Sequence, residues 1–247
     1  MKIWLLKQKQ TQRWDSPLST VEAVYALLHQ GSDWLSNDKT VSIKTGNKNL
    51  EPAQVEAGTG YFKVTIPTTR ISAETGKVTV SKEGNGIGWG AMYWQFYQEM
   101  NKAESQGGAL KISKKLFVEK VTGIGKTLIP LEQMQPAIGD KVITRLVITT
   151  DRNLEFVTLK DLRASCFEPV NQRSGTVLRE NLYYYQTTKD ASTQFFFSFL
   201  PKGTFVFEYE MMTNNSGVFS SGIASVQCQY APEFVSHTGG EQIKVVQ

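Results

Sequence analysis

FFFSFLPKGTFVFEY, residues 195–209, decides the fold. Phe195, Phe197 and Phe199 alternate before Pro201-Lys202-Gly203, and Phe205, Phe207 and Tyr209 alternate after it. A two-residue period puts alternate side chains on one face of a strand, and the Pro-Lys-Gly break reads as a short hairpin loop. The same period extends outward. GDKVITRLVITT (139–150) lines up Val142, Thr144, Leu146 and Ile148, LEFVTLKD (154–161) makes another strand, and SSGIASVQCQYAPEF (220–234) and EQIKVVQ (241–247) close the series. LKISKKLFVEK (110–120) alternates weakly, and its lysines suit an exposed or edge strand. Upstream, Val41 and Ile43 alternate, as do Phe62, Val64 and Ile66, and then Val78 and Val80. GIGWGAMYWQFYQEM (86–100) is apolar or aromatic on both faces, as expected of a central strand covered on both sides. Nothing alternates strand with helix in the manner of a parallel sheet.

Only the beginning of the chain reads as helix. In WDSPLSTVEAVYALLHQG (14–31), Ser16 can cap, Pro17 suits the first helical position, and Leu18, Val21, Tyr25 and Leu28 share a face that ends at Gly31. That face needs a partner: the β region, or a helical domain preceding Met1, which is the expected case. NKAESQGGA (101–109) reads as a linker. The expected fold is mainly β, with two antiparallel β-sandwich-like domains preceded by a short helical stub. The expected parts are residues 1–31, 32–104 and 105–247.

Composition narrows the chemistry. The chain of 247 residues carries 27 Lys+Arg against 23 Asp+Glu, a net +4 without a concentrated basic stripe, so no nucleic-acid partner is expected. Apolar runs such as QFFFSFL are far shorter than a membrane span, so no membrane segment is expected. MKIWLLKQKQTQRW is interrupted by Lys7 and Lys9 and lacks a cleavage site, so it is not a signal peptide, and Met1-Lys2 reads as an expression start on an internal segment. His29 and His237 lack a neighbouring nucleophile, and Cys228 and His237 lack metal-ligand spacing. The glycines of GNGIGWG (84–90) precede a strand and open no helix, unlike a phosphate loop. No catalytic residue, cofactor or metal site is expected, and the chain is read as not an enzyme. Cys166 and Cys228 either bridge or stay as buried free thiols. Tyr183, Tyr184 and Tyr185, with Phe195 to Phe197, either pack the core or present rings to a sugar or protein, so an adhesin or carbohydrate-binding module is the alternative reading.

Several blocks together resemble the C-terminal part of bacterial alpha-2-macroglobulin-like proteins. WLLKQKQTQRWDSPLSTVEAVYALL resembles the last helices of their thioester-containing helical domain, and GIGWGAMYWQFYQEM the β-segment that leaves it. GDKVITRLVITTDRNLEFVTLKDLRASCFEPV, FFFSFLPKGTFVFEYE and VQCQYAPEF resemble their C-terminal macroglobulin-like domain, the counterpart of a receptor-binding domain. The resemblance implies that 1–31 ends a helical domain, that 32–104 is a CUB-like segment and that 105–247 is the macroglobulin-like sandwich. It implies a broad-spectrum protease inhibitor of bacterial defence, periplasmic or extracellular, with a signal or lipid anchor upstream. Its partners would be the upstream helical domain of the same polypeptide and target proteases met by the full-length protein. No bait region is found, and Leu131-Glu132-Gln133 follows Pro130 where a thioester motif needs Cys. The chain would then act as scaffold and thioester-shielding module, with Tyr183 to Tyr185 the expected interdomain contact.

Overall fold

The computed structural model describes residues 2–29, 41–57, 60–83, 88, 90–123, 125–179 and 181–247. They form two compact units: one is essentially Asp15–Gln95, the other Ile3–Trp14 with Phe96–Gln247. In the first unit, helix α2 (Pro17–Leu28; α1 is Lys2–Thr11, in the second) starts as its sequence dictates. Ser16 stays extended and its hydroxyl accepts from the Ser19 N–H at 3.1 Å, while Pro17 occupies the first turn. Leu18, Val21, Tyr25 and Leu28 are exposed, and Ala23 is the buried residue of the helix. Gly31 lies outside the described residues.

Strands β1 (Val41–Thr45), β2 (Lys48–Leu50) and β3 (Val78–Lys82) make an antiparallel sheet in the order β2-β1-β3. Among the described residues, the two other strands expected here do not form. Phe62, Val64 and Ile66 are half-buried and alternate with exposed neighbours, but they lie in no strand. Of 86–100, the described residues carry no strand, and Tyr93, Trp94, Phe96 and Tyr97 are exposed; Ile87 and Trp89 lie outside the described residues. Two apolar faces make a strand only where a neighbouring backbone supplies the ladder, and among the described residues no strand pairs with this stretch.

The second unit is a β-sandwich. Its strands are β4 (Leu110–Thr122), β5 (Gly125–Pro130), β6 (Lys141–Thr150), β7 (Leu154–Leu162), β8 (Phe167–Pro169), β9 (Gly175–Arg179), β10 (Leu182–Lys189), β11 (Ser192–Leu200), β12 (Gly203–Thr213), β13 (Gly217–Ser220), β14 (Ala224–Cys228), β15 (Val235–His237) and β16 (Gln242–Val245). One sheet runs β5-β4-β6-β12-β8, the other β15-β14-β7-β11-β10-β9, and β13 pairs with β16. All named pairings are antiparallel.

The 195–209 stretch is therefore an arch between sheets, not a hairpin. β11 pairs with β7 and β10, while β12 pairs with β6 and β8. Gly203, at φ +153°, lets the chain turn out of one sheet into the other. The alternating phenylalanines meet face to face across the core: Phe207 lies 5.6 Å from Phe195 and 5.4 Å from Phe197 by ring centroids. Phe199 is exposed and Leu200 buried, because the inward phase shifts by one beside Phe156, which is held at φ +55° in the neighbouring strand.

β4 is not an edge strand either. It lies between β5 and β6, and Lys114 sits in its inward phase between Ile112 and Leu116. The Lys114 ammonium meets Asp161 Oδ1 of the opposite sheet at 2.6 Å and the carbonyls of Leu162 and Ser221 at 2.9 and 3.2 Å. The Tyr209 hydroxyl donates to Asp161 Oδ2 at 2.5 Å. Three strands of two sheets thus converge on one buried carboxylate. Losing one partner of such a pair costs about 3–5 kcal/mol, since the other charge stays buried.

The segment expected as a linker is strapped down. Gln106 and His237 exchange backbone hydrogen bonds at 2.9 and 2.8 Å, Gly240 N–H donates to Ala103 at 3.0 Å, and a β-carbon at 240 would collide with the Met100 carbonyl. Gly222 is as constrained: φ is +68° and an added β-carbon would sit 2.5 Å from the Leu162 carbonyl. Gly222→Ala should lower the unfolding free energy by roughly 2–4 kcal/mol, through strain and overpacking together. Gly108→Ala, which meets nothing within 4 Å, should leave urea midpoints nearly unchanged.

Candidate functional surface

Strand alternation splits the tyrosine run. Tyr184 points inward and is buried against Phe195, Phe197 and Phe207, with ring centroids 5.8, 5.7 and 5.4 Å away. Burial pushes its phenol above the ordinary tyrosine range. Tyr183 and Tyr185 face outward and are 65% and 46% exposed. The register sets Tyr183 opposite Leu178 of β9, and Tyr185 opposite Phe196 of β11, at 6.4 Å between rings. Leu178 and Phe196 are themselves exposed, so four apolar side chains of three adjacent strands share one outer face.

The other sheet's outer face differs in kind. Glu119, Lys126, Lys141 and Glu210 form linked ion pairs there, and Arg145 pairs with Glu208 while lying 4.7 Å from the Phe117 ring centre. Charges laddered across strands solvate that face, whereas the Tyr183–Tyr185 face offers ring area with phenol tips. Phe195 and Phe197, like Tyr184, belong to the core and add nothing to an outward platform, which removes half of the aromatic run from the carbohydrate-binding reading.

The two cysteines are free and buried, so the bridge left open by the sequence is not formed. They occupy separate surroundings. Cys166 packs with Ala164, Phe167 and Met211, and Cys228 lies in β14 with its thiol 3.2 Å from the Glu155 carbonyl. Burial pushes the Cys166 thiol up to about 11.

His29 stacks on Tyr25 at 4.7 Å, and His237 Nδ1 lies 3.2 Å from the Thr238 carbonyl. Leu131–Gln133 form a turn after β5, and Gly84 to Ile87 of the glycine-rich stretch lie outside the described residues. Among the described residues, no three His, Cys, Asp or Glu side chains are placed to hold a metal, and no helix is long and apolar enough to cross a membrane. The buried Lys114–Asp161–Tyr209 group is the arrangement that sequence reading missed. Its one signal is a lysine in the apolar phase of a strand.

Two layers of antiparallel strands around an aromatic core form an antiparallel β-sandwich. The sequence of this sandwich matches the Bacterial Alpha-2-macroglobulin MG10 domain over residues 110–233, and the chain belongs to that family. No curated protein matches it significantly. Among solved structures, it is similar to Salmonella alpha-2-macroglobulin mutant Y1175G at 16% identity and TM-score 0.48, over 59% of this chain and 10% of that one. It is similar to native Escherichia coli alpha-2-macroglobulin from domain MG7 to the C-terminus at 13% identity and TM-score 0.47, over 58% of this chain and 24% of that one. Against Escherichia coli alpha-2-macroglobulin activated by porcine elastase, the figures are 14% and 0.48, over 58% of this chain and 14% of that one. The chain thus spans a small part of these proteins.

Inner and outer tyrosines should separate on substitution. Tyr184→Ala should cost about 3–5 kcal/mol, as for other large core aromatics, and Tyr183→Ala within about 0.5 kcal/mol of nothing, read from chemical denaturation. Both thiols should resist a disulfide reagent at neutral pH in the folded chain, then titrate together in denaturant without reductant.

Proposed function

We propose that this chain is a non-catalytic C-terminal part of an alpha-2-macroglobulin-like protease inhibitor, in which the sandwich is scaffold and docking module. Family membership supports the class, and the observation that carries the docking role is the contiguous outward face of Tyr183, Tyr185, Leu178 and Phe196 on three adjacent strands. Residues 1–31 close a helical domain, 32–104 contribute a CUB-like segment, and 105–247 are the macroglobulin-like domain. The exposed apolar face of α2 and the unpaired 90–99 stretch fit pieces whose packing partners belong to the same larger polypeptide. The aromatic face docks on the upstream helical domain and shields a thioester where the parent protein has one. Target proteases are met by the full-length protein, in the periplasm or outside the cell.

Full-length parent protein incubated with several endopeptidases should retain protease in a complex that still cleaves small substrates. Absence of a complex with every protease, together with an unchanged shape after cleavage, sinks the inhibitor reading. The docking role is read separately by oxidative footprinting of Tyr183 and Tyr185. Both should be labelled readily in this chain alone and several-fold less in the intact parent, and equal labelling refutes the contact.

A further inference from the structure

Lys114 and Asp161 are more than a salt bridge in their placement. The two side chains come from β4 and β7, in opposite sheets, and are 8% and 0% exposed, with Nζ 2.6 Å from Oδ1. We propose that this pair is a self-condensation site, at which the Lys114 amine and the Asp161 carboxyl form an intramolecular amide that covalently staples the two sheets.

The two reacting groups are already in contact. Transfer of a proton from the Lys114 ammonium to Asp161 Oδ1 turns a buried ion pair into an amine and a carboxylic acid, both neutral and less costly to desolvate. Burial pushes the Asp161 carboxyl upward in spite of Lys114, the Tyr209 hydroxyl and the Arg163 charge, which favours that transfer. Arg163 makes no bond to the carboxylate. Its guanidinium goes to the Thr193 hydroxyl at 3.2 Å and to carbonyls of the turn between β10 and β11, among them Asp190 at 3.1 Å. The neutral amine keeps two hydrogens for the Leu162 and Ser221 carbonyls, at 2.9 and 3.2 Å, and its lone pair, facing Oδ1 at first, has only to swing out of the carboxyl plane to reach the carboxyl carbon. A desolvated lysine amine is a competent nucleophile, and a fixed partner at contact distance replaces a bimolecular encounter. Tyr209 donates to Oδ2 at 2.5 Å, where negative charge develops during attack.

The bond that forms is Nζ–Cγ and the bond that breaks is Cγ–Oδ1. Oδ1 carries the proton first received from Lys114, takes a second from the attacking nitrogen, and leaves as water. Oδ2 becomes the amide oxygen under the Tyr209 hydroxyl, and the remaining N–H keeps a carbonyl partner. No oxidant or co-reactant is consumed. A cleft of about 340 Å³ lined by Lys114, Ser221, Thr238 and Glu241 adjoins the site and gives the water an exit.

The test is the intact mass of the purified 247-residue chain under denaturing conditions. The expected mass is lower than that of the sequence by one water, about 18 Da, with the loss mapped by tandem mass spectrometry to a peptide linking Lys114 to Asp161. Asp161→Asn should lose ammonia instead, about 17 Da, and Lys114→Arg should show its full mass. The full sequence mass in the unaltered chain overturns the proposal, and so does a water loss that maps to other residues. The unaltered chain alone decides the matter, whether or not either variant folds.

Discussion

The sandwich depends on the meeting of two strands that leave one arch in opposite sheets. Phe195 and Phe197 descend from one sheet, Phe207 rises from the other, and Tyr184 fills the space among them. Each ring touches the next edge-on or tilted, the arrangement that aromatic quadrupoles favour. Leu146, Ile148, Leu154, Leu159 and Val226 pack around this centre with essentially no exposure. The apolar payload is concentrated where the arch folds over, and both sheets are built outward from it. A second cluster around Leu116, Val142, Met211 and Ile243 extends the core toward β16.

How much of this was legible depended on distance along the chain. Ser16 and Pro17 read correctly because capping is settled within one turn of helix. Alternation in 195–209 grouped Phe195 and Phe197, and Phe207 beyond the break, with rings that share a face, but period two does not say whether the partner strand lies beside or opposite. The hairpin expectation failed on that difference. The same period separated Tyr184 from its neighbours, while the choice of which side is core was made by Phe195 and Phe207, residues remote in sequence.

Charge was the least readable part. The lysines of β4 suggested an exposed edge, yet Lys111 and Lys115 alone point outward near Lys114, whose partner Asp161 lies 47 residues further on. Nothing local to either residue announces the other. The stretch 86–100 failed in the converse way, since its sequence has the character of a covered strand and its described residues have nothing to pair with. Strand propensity expresses a fit to neighbours, so a segment with strong strand composition still waits on a second backbone.

The strap between 100–106 and 236–240 gives the sandwich a mechanical character. Tension applied along the chain from residue 99 does not fall first on β4. It reaches the Gln106–His237 backbone pair, the Ser236 hydroxyl on the Gln106 carbonyl at 2.7 Å, and the Gly240–Ala103 contact. A residue larger than glycine at 240 could not let the two segments lie this close. The entering chain is thus clamped by residues that lie within a few positions of the last strand, and load passes from the first strand of the sandwich to the final ones without travelling through its core.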